Sequence, residues 1–468
     1  MSPLRGQSMQ EPAPALLQRQ NLAPLVLVNM GVGTHAVVWF MVVTAMPSVV
    51  EDLQAEPFLS WATSIYLVAT IVGGAMMALL KGRLGGRRAM LASGIVVTAG
   101  GLLAAAAPGI TLVLAGRVLQ GLGEGVLVAL SYALVRELFD IRIVPRVFGI
   151  QAVTWGFAIF LGPMAGGWLT EAWSWRGAFV GTAMLPLPLL VLAGWVLPDT
   201  QARRAGASTP VPALRLLLLI LGVMAIAVAN RLPGVWPGFA AVALGFGLIA
   251  AMLRIDRHAE RHMFPTVFPG LVHPVALGLW VLLLMPLAQM AIYVYTPYIL
   301  QLHRGLSPTW AGYLGAVHAV AWSVAAVAVA PLSAAAQRRA LQCGPLLLAL
   351  GLAALAVTLP AQPLIWVVAA MLLIGTGFGT SYAFLNQRVM AAAQAGQEDA
   401  TAGAAPTLGA LGGAVGAALA GLAGNGLGLD QVLTATSVTQ ASRVLAGAGA
   451  LLALVAALLV RRLLQRAG

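Results

Sequence analysis

Charge is scarce in this chain. Only 9% of its 468 residues are Asp, Glu, Lys or Arg, where a soluble globular protein carries about 25%. With 60% hydrophobic residues and a mean hydropathy of +0.91, the composition excludes a soluble domain and implies an integral membrane protein. One cysteine, Cys343, excludes an internal disulfide or a cysteine metal centre. No His/Asp/Glu cluster has metal-ligand spacing and no glycine-rich phosphate loop follows a strand, so neither a metal nor another cofactor is expected. The missing ten-residue alternation excludes a β-barrel, which leaves helices as the spanning structure.

What remains is long apolar runs. A membrane helix needs about 20 such residues. The sequence offers fourteen stretches, at 25–49, 58–80, 88–107, 110–133, 147–170, 176–197, 213–230, 235–253, 274–300, 307–331, 341–360, 362–388, 400–424 and 441–463. Basic clusters follow the even-numbered stretches, as at Arg87/Arg88, Arg136/Arg142, Arg203/Arg204, Arg254/Arg257, Arg338/Arg339 and Arg461/Arg462. That is the positive-inside pattern, and it puts both termini in the cytoplasm. The net charge of +12 then reports topology and argues against a nucleic-acid partner. The expected organisation is a disordered cytosolic tail (1–24), a six-helix bundle (25–197), linkers with two extra helices (198–273), a second six-helix bundle (274–463) and a short tail (464–468). The tail at 1–24 lacks the form of a signal peptide. Paired six-helix halves are the mark of transporters built from repeats, with the substrate site near the midplane.

Several motifs resemble those of the major facilitator superfamily. "RVLQGLGEG" (117–125) resembles its fourth-helix motif and "GPMAGG" (162–167) its fifth-helix motif. "KGRLGGRR" (81–88) sits at the loop 2–3 signature, and "WATSIYL" (61–67) and "SWRGAF" (174–179) match the usual context. "YTPYILQLHRGLSPTWAGY" (295–313) is similar to the ninth-to-tenth helix junction of the fourteen-span drug:proton antiporters. The resemblance implies a monomeric multi-pass transporter of a bacterial inner membrane, with protons and a small molecule as its partners. It implies a gating loop at Gly82, Arg83, Arg87 and Arg88, and a hinge at Gly162, Pro163, Gly166 and Gly167. Two acids usual in the family are missing: Gly82 stands at one place, and Val38 within "HAVVWFMVVTAMP" (35–47) at the other. The glycines and proline of 162–167 also predict a kink and close helix packing.

Within the fourth stretch, Arg117 and Glu124 are seven residues apart. They share a helix face, separated by about 10.5 Å of rise. Side chains lean toward the helix N-terminus, so a direct ion pair is not expected. Gln120 lies between them at the offsets where helical side chains meet. The reading is a polar stripe facing a watery cavity between the halves. Of the fourteen acids, Glu124 alone lies deep in a span. Desolvation favours the neutral form of such a carboxyl, which suits a proton carrier. His35 and His318 also lie mid-span and are further proton or substrate candidates, or satisfied packing residues. Trp39, Trp155, Tyr293, Tyr298, Trp322 and Tyr382 are the candidate cavity aromatics, or interface anchors. The expected function is proton-driven export of small lipophilic compounds. Export of a lipid or siderophore, uptake of a metabolite, and a non-transporting scaffold or sensor are the alternatives. No base–nucleophile constellation suggests an enzyme.

Overall fold

The computed structural model describes residues 18–140, 142–199, 211–232 and 235–466. Among them the regular structure is helical throughout. The helices are α1 (Arg19–Asp52), α2 (Leu59–Ala105), α3 (Ile110–Leu138), α4 (Val144–Ala172), α5 (Trp175–Met184), α6 (Pro186–Val196), α7 (Ala213–Val228), α8 (Val235–Asp256), α9 (Pro274–Leu302), α10 (Pro308–Val329), α11 (Ala334–Thr358), α12 (Leu364–Ala391), α13 (Glu398–Gly426) and α14 (Ala435–Arg466). Twelve helical stretches are long and apolar enough to cross a membrane.

All fourteen expected stretches are helical, but not as fourteen separate rods. The expected second and third spans are the two limbs of α2, which is broken at Gly85 (φ 81°, ψ 163°). The limbs run in opposite directions along α3. Tyr66 and Thr70 of the first limb lie beside Gly121 and Gly125 respectively, whereas Val97 and Gly100 of the second lie beside Gly123 and Gly116. The chain therefore reverses at Gly85, inside the segment expected to be the 2–3 loop. The expected sixth span is divided into α5 and α6 at Leu185, ahead of Pro186, which has no N–H to continue the ladder. With 16 residues, α7 is shorter than the 213–230 span expected there.

The ends differ from expectation as well. α1 already begins at Arg19, so residues 19–24 are helical, not tail; residues 1–17 lie outside the described residues. α14 continues to Arg466, which leaves of the expected 464–468 tail only two residues, both outside the described residues. Most of the first linker, 200–210, is also outside them.

Helices α1–α6 form one bundle and α9–α14 the other. They meet chiefly along α4 with α10 and α2 with α13. The α7–α8 hairpin packs on the flank. Leu216, Leu219, Val223 and Ile226 of α7 are buried in the same core as Val49 and Leu277. On α8, Trp236, Phe239 and Leu244 are more than half exposed, as on an apolar surface facing lipid.

Hydrogen bonds between the bundles gather at the end bearing Glu51, Asp52 and Glu171. Gln301 Nε2 donates to the Thr44 carbonyl (3.0 Å) and Thr309 N–H to Glu171 Oε1 (2.9 Å). Ser64 Oγ donates to the Ala414 carbonyl (3.2 Å) and Asn425 Nδ2 to that of Pro57 (3.0 Å). At the basic end Lys81 pairs with Glu137 and Arg88 with Asp199 (3.1 Å) inside the first bundle, and Arg215 pairs with Asp256 inside the α7–α8 hairpin.

Gly85 occupies a backbone region that is essentially glycine-only, where another residue costs about 1–3 kcal/mol. Gly85→Ala is expected to destabilise the purified protein by that amount, read as a lower denaturation midpoint. Gly82→Ala, at a helical position with open space around an added Cβ, is expected to raise the midpoint slightly.

Candidate functional site

Glycines bring α2 and α3 into contact at mid-membrane depth. A Cβ on Gly121 would lie 2.5 Å from the Tyr66 carbonyl oxygen, so only glycine permits this approach. The approach sets the Tyr66 side chain beside Glu124, which is fully buried halfway along α3. The Tyr66 hydroxyl donates a short hydrogen bond to Glu124 Oε2. His35 of α1 brings Nδ1 to 2.8 Å from the same oxygen and to 2.9 Å from the Tyr66 hydroxyl. Three helices thus place three titratable side chains in mutual contact. The His35 side chain is 15% exposed while Glu124 is sealed, so His35 is the outermost member. Glu124 Oε1 is buried without a hydrogen-bond partner.

Arg117 lies on the other face of Tyr66, its guanidinium carbon 3.9 Å from the ring centroid. Such a contact, desolvated, is worth about 2 kcal/mol. Arg117 Nη1 donates to Gln120 Oε1 (2.6 Å), and Gln120 Nε2 donates to Thr182 Oγ1 of α5 (2.9 Å). Thr182 donates in turn to the Phe179 carbonyl (2.7 Å). No Arg117–Glu124 ion pair forms; Tyr66 stands between them.

The stripe Arg117–Gln120–Glu124 was expected to face a watery cavity between the bundles. It does not: the three residues are at most 2% exposed and turn into their own bundle. Neighbouring helices supply their partners, which removes the lipid penalty without water. Tyr66 and Thr182 were not picked out by sequence reasoning. Tyr66 stood inside "WATSIYL" only as context, although Thr70, one turn on, continues a polar face with it.

The aromatic candidates separate into groups. Trp155 sets its edge against His35, centroids 5.7 Å apart. Trp39 lies 5.5 Å from Tyr66 and stacks at 5.5 Å on Tyr293 of α9, across the boundary between bundles. Tyr293 meets His318 of α10 edge-on at 5.4 Å. His318 is buried, its Nδ1 2.6 Å from the Gly315 carbonyl oxygen, and reaches the Glu124 group only through these rings. Trp322 and Tyr382 form a separate cluster with Phe378 in the second bundle. Tyr298 is no cavity residue: it is 1% exposed, donates to the Leu429 carbonyl (3.0 Å) and packs on Tyr295 in its own bundle.

Between the bundles, Phe40, Thr44, Tyr293, Thr296 and His318 line a cavity with only ≈ 20 Å³ for the centres of water molecules. That is room for about one water, far below the 300–1,000 Å³ of a typical ligand site. The bundles have closed on each other there. In the expected hinge, Gly162 and Gly166 meet Phe40 and Met41 of α1, and Gly167 meets Thr309 of α10. α4 stays helical through Pro163. In the expected gating loop, Gly82 and Arg83 are helical, and Arg87 and Arg88 begin the returning limb of α2.

Two six-helix bundles that meet along a shared seam are the architecture of membrane transporters built from repeats. Residues 28–417 match the family model of the Major Facilitator Superfamily, and the chain belongs to that family. It is similar to a probable multidrug-efflux transporter of Mycobacterium tuberculosis, 32% identical over 93% of this chain and 94% of the relative. It is 26% identical to a multidrug efflux pump of Mycolicibacterium smegmatis, over 81% of this chain and 75% of that pump. Among solved structures, a peptide transporter in complex with alafosfalin superposes with a TM-score of 0.67 at 18% identity, covering 97% of this chain and 96% of that one. The xylose transporter of Escherichia coli in a partially occluded inward open conformation gives 0.57 at 15% identity, covering 93% and 97%. These structural likenesses concern the fold.

Removing a partner of a buried charged donor costs about 1.5–3 kcal/mol. Gln120→Leu is expected to destabilise the protein by that amount, read as a lower denaturation midpoint in detergent, because Arg117 Nε already has no partner.

Proposed function

We propose that this chain is a proton-coupled exporter of small lipophilic compounds, working by alternating access in a bacterial plasma membrane. The observation that carries the reading is the Glu124–His35–Tyr66 group. It is a sealed carboxyl in contact with a partly exposed histidine, at the depth where a transporter exchanges protons for cargo. The two relatives described as multidrug-efflux proteins support export of drug-like compounds. On this reading fourteen segments cross the membrane, counting both limbs of α2, α5 with α6 as one, and α7. The basic end and both termini face the cytoplasm by the positive-inside rule. The bonded seam then closes the outer side, so a proton reaches Glu124 from outside only after that seam opens. The partners are a proton and a small molecule, and the working unit is a monomer.

The energetics suffice. A proton moving down about 100 mV releases about 2.3 kcal/mol, and one pH unit adds about 1.4 kcal/mol. Together they hold a neutral solute about 500-fold out of equilibrium.

The test is efflux of a fluorescent lipophilic dye from energised cells lacking their own pumps. Wild type is expected to export dye and to stop when a protonophore is added. Glu124→Gln, at equal expression, is expected to lose at least about 90% of the rate, a barrier increase of about 1.4 kcal/mol or more. Full export by Glu124→Gln would make Glu124 structural and overturn its role as proton carrier.

A further inference from the structure

Contacts converge on Tyr66 to a degree that the proton-carrier reading does not require. Its hydroxyl touches Glu124 and His35. One ring face holds the Arg117 guanidinium, and the ring also packs on His35 (centroids 6.3 Å apart, 10° between planes) and on Trp39. Trp39 in turn stacks on Tyr293 of the opposite bundle at 18° between ring planes. Tyr66 therefore touches both the buried carboxylate and the first ring of the inter-bundle stack. We propose that Tyr66 is the positioning residue that transmits the protonation state of Glu124 to the seam between the bundles. The proposal rests on the proton coupling argued above.

Hydrogen-bond counting supplies the mechanism. Tyr66 O, His35 Nδ1 and Glu124 Oε2 form a triangle whose sides all lie within hydrogen-bond reach. With Glu124 ionised, Oε2 accepts from the phenol O–H and from a protonated Nδ1, and all three atoms are satisfied. A proton taken up at the unpartnered Oε1 neutralises the acid and leaves Oε2 a carbonyl oxygen, so the bonds it accepts lose their charge assistance, weaken about twofold, and let the phenol O–H and its ring shift. The neutralised acid also leaves Arg117 as the one full positive charge packed against that ring. Around the group, Trp155 from α4 packs on His35 and Thr182 from α5 accepts from Gln120, both uncharged; Tyr293 from α9 and His318 from α10 follow beyond Trp39. A ring packed against Arg117, His35 and Trp39 in a close-packed interior cannot move without moving its neighbours. Trp39 is the neighbour that crosses to Tyr293.

The experiment measures the bundles without cargo. In full-length protein with Cys343→Ser, spin labels are placed at Arg136→Cys, on the basic end of α3, and Ala391→Cys, on the basic end of α12; both positions are exposed. The label distance is followed between pH 5 and pH 8. Wild type is expected to shift its distance distribution with pH. Tyr66→Phe keeps the ring and its packing but removes the O–H, and is expected to lose most of that shift. Trp39→Leu, which removes the stack on Tyr293, is expected to lose it too. If either variant keeps the wild-type amplitude while remaining folded by gel filtration and melting, transmission through Tyr66 and Trp39 is overturned. If wild type shows no pH-driven shift, the proton-coupled reading itself fails, and this proposal with it. The two failures are thereby distinguishable.

Discussion

A carboxyl group in the middle of an apolar helix bundle is the constraint on which the rest of this site depends. Left alone there, an ionised Glu124 would cost several kcal/mol. Its surroundings answer with partners from neighbouring helices: the Tyr66 hydroxyl from α2 and the His35 ring from α1. Arg117 supplies the compensating charge without touching the acid, because the Tyr66 ring is packed between them. The arrangement leaves Oε1 free of partners and His35 slightly open. A purely structural anchor would gain from satisfying every atom; a group that takes up and gives back protons needs an unfilled position and a route to water.

The second constraint acts on the seam between the bundles, which is bonded at one end. Small residues bring it together. Gly167 and Gly312 let α4 and α10 approach to backbone distance, and hydrogen bonds from Gln301 and Thr309 complete the closure. The closed cavity beside Tyr293 and His318 is too small for cargo in this state. In the proposed function the same seam opens when the other end closes, and Trp39 stacked on Tyr293 places the buried acid two rings away from it.

Much of this was legible in the sequence because membrane burial leaves few charges and each must be explained. Glu124 stood out as the one acid deep in a span, and the spacing of Arg117, Gln120 and Glu124 argued against a direct Arg–Glu pair. The direction in which that stripe faces was not legible, since helix periodicity fixes a common face but not which neighbour covers it. Tyr66 was hard to single out for a related reason. The polar face it shares with Thr70 is a weak pattern, and its role comes from the closeness of α2 to the glycines of α3. Gly85 was hidden inside a motif expected to be a loop, because its positive φ cannot be read from the letters around it. Tyr298 near a helix end suits a cavity or an anchor equally well in sequence; only its bond to the Leu429 carbonyl decides.

The central claim is that Glu124 exchanges a proton inside the closed bundle. The most direct measurement is infrared difference spectroscopy of the purified protein as pH is lowered, watching the C=O stretch of a protonated carboxyl. The account predicts a carboxyl band that appears reversibly within the range where cells operate, is insensitive to neutralising the surface acids, and is missing in Glu124→Gln. A band unchanged in that variant, or no band at all, would contradict it.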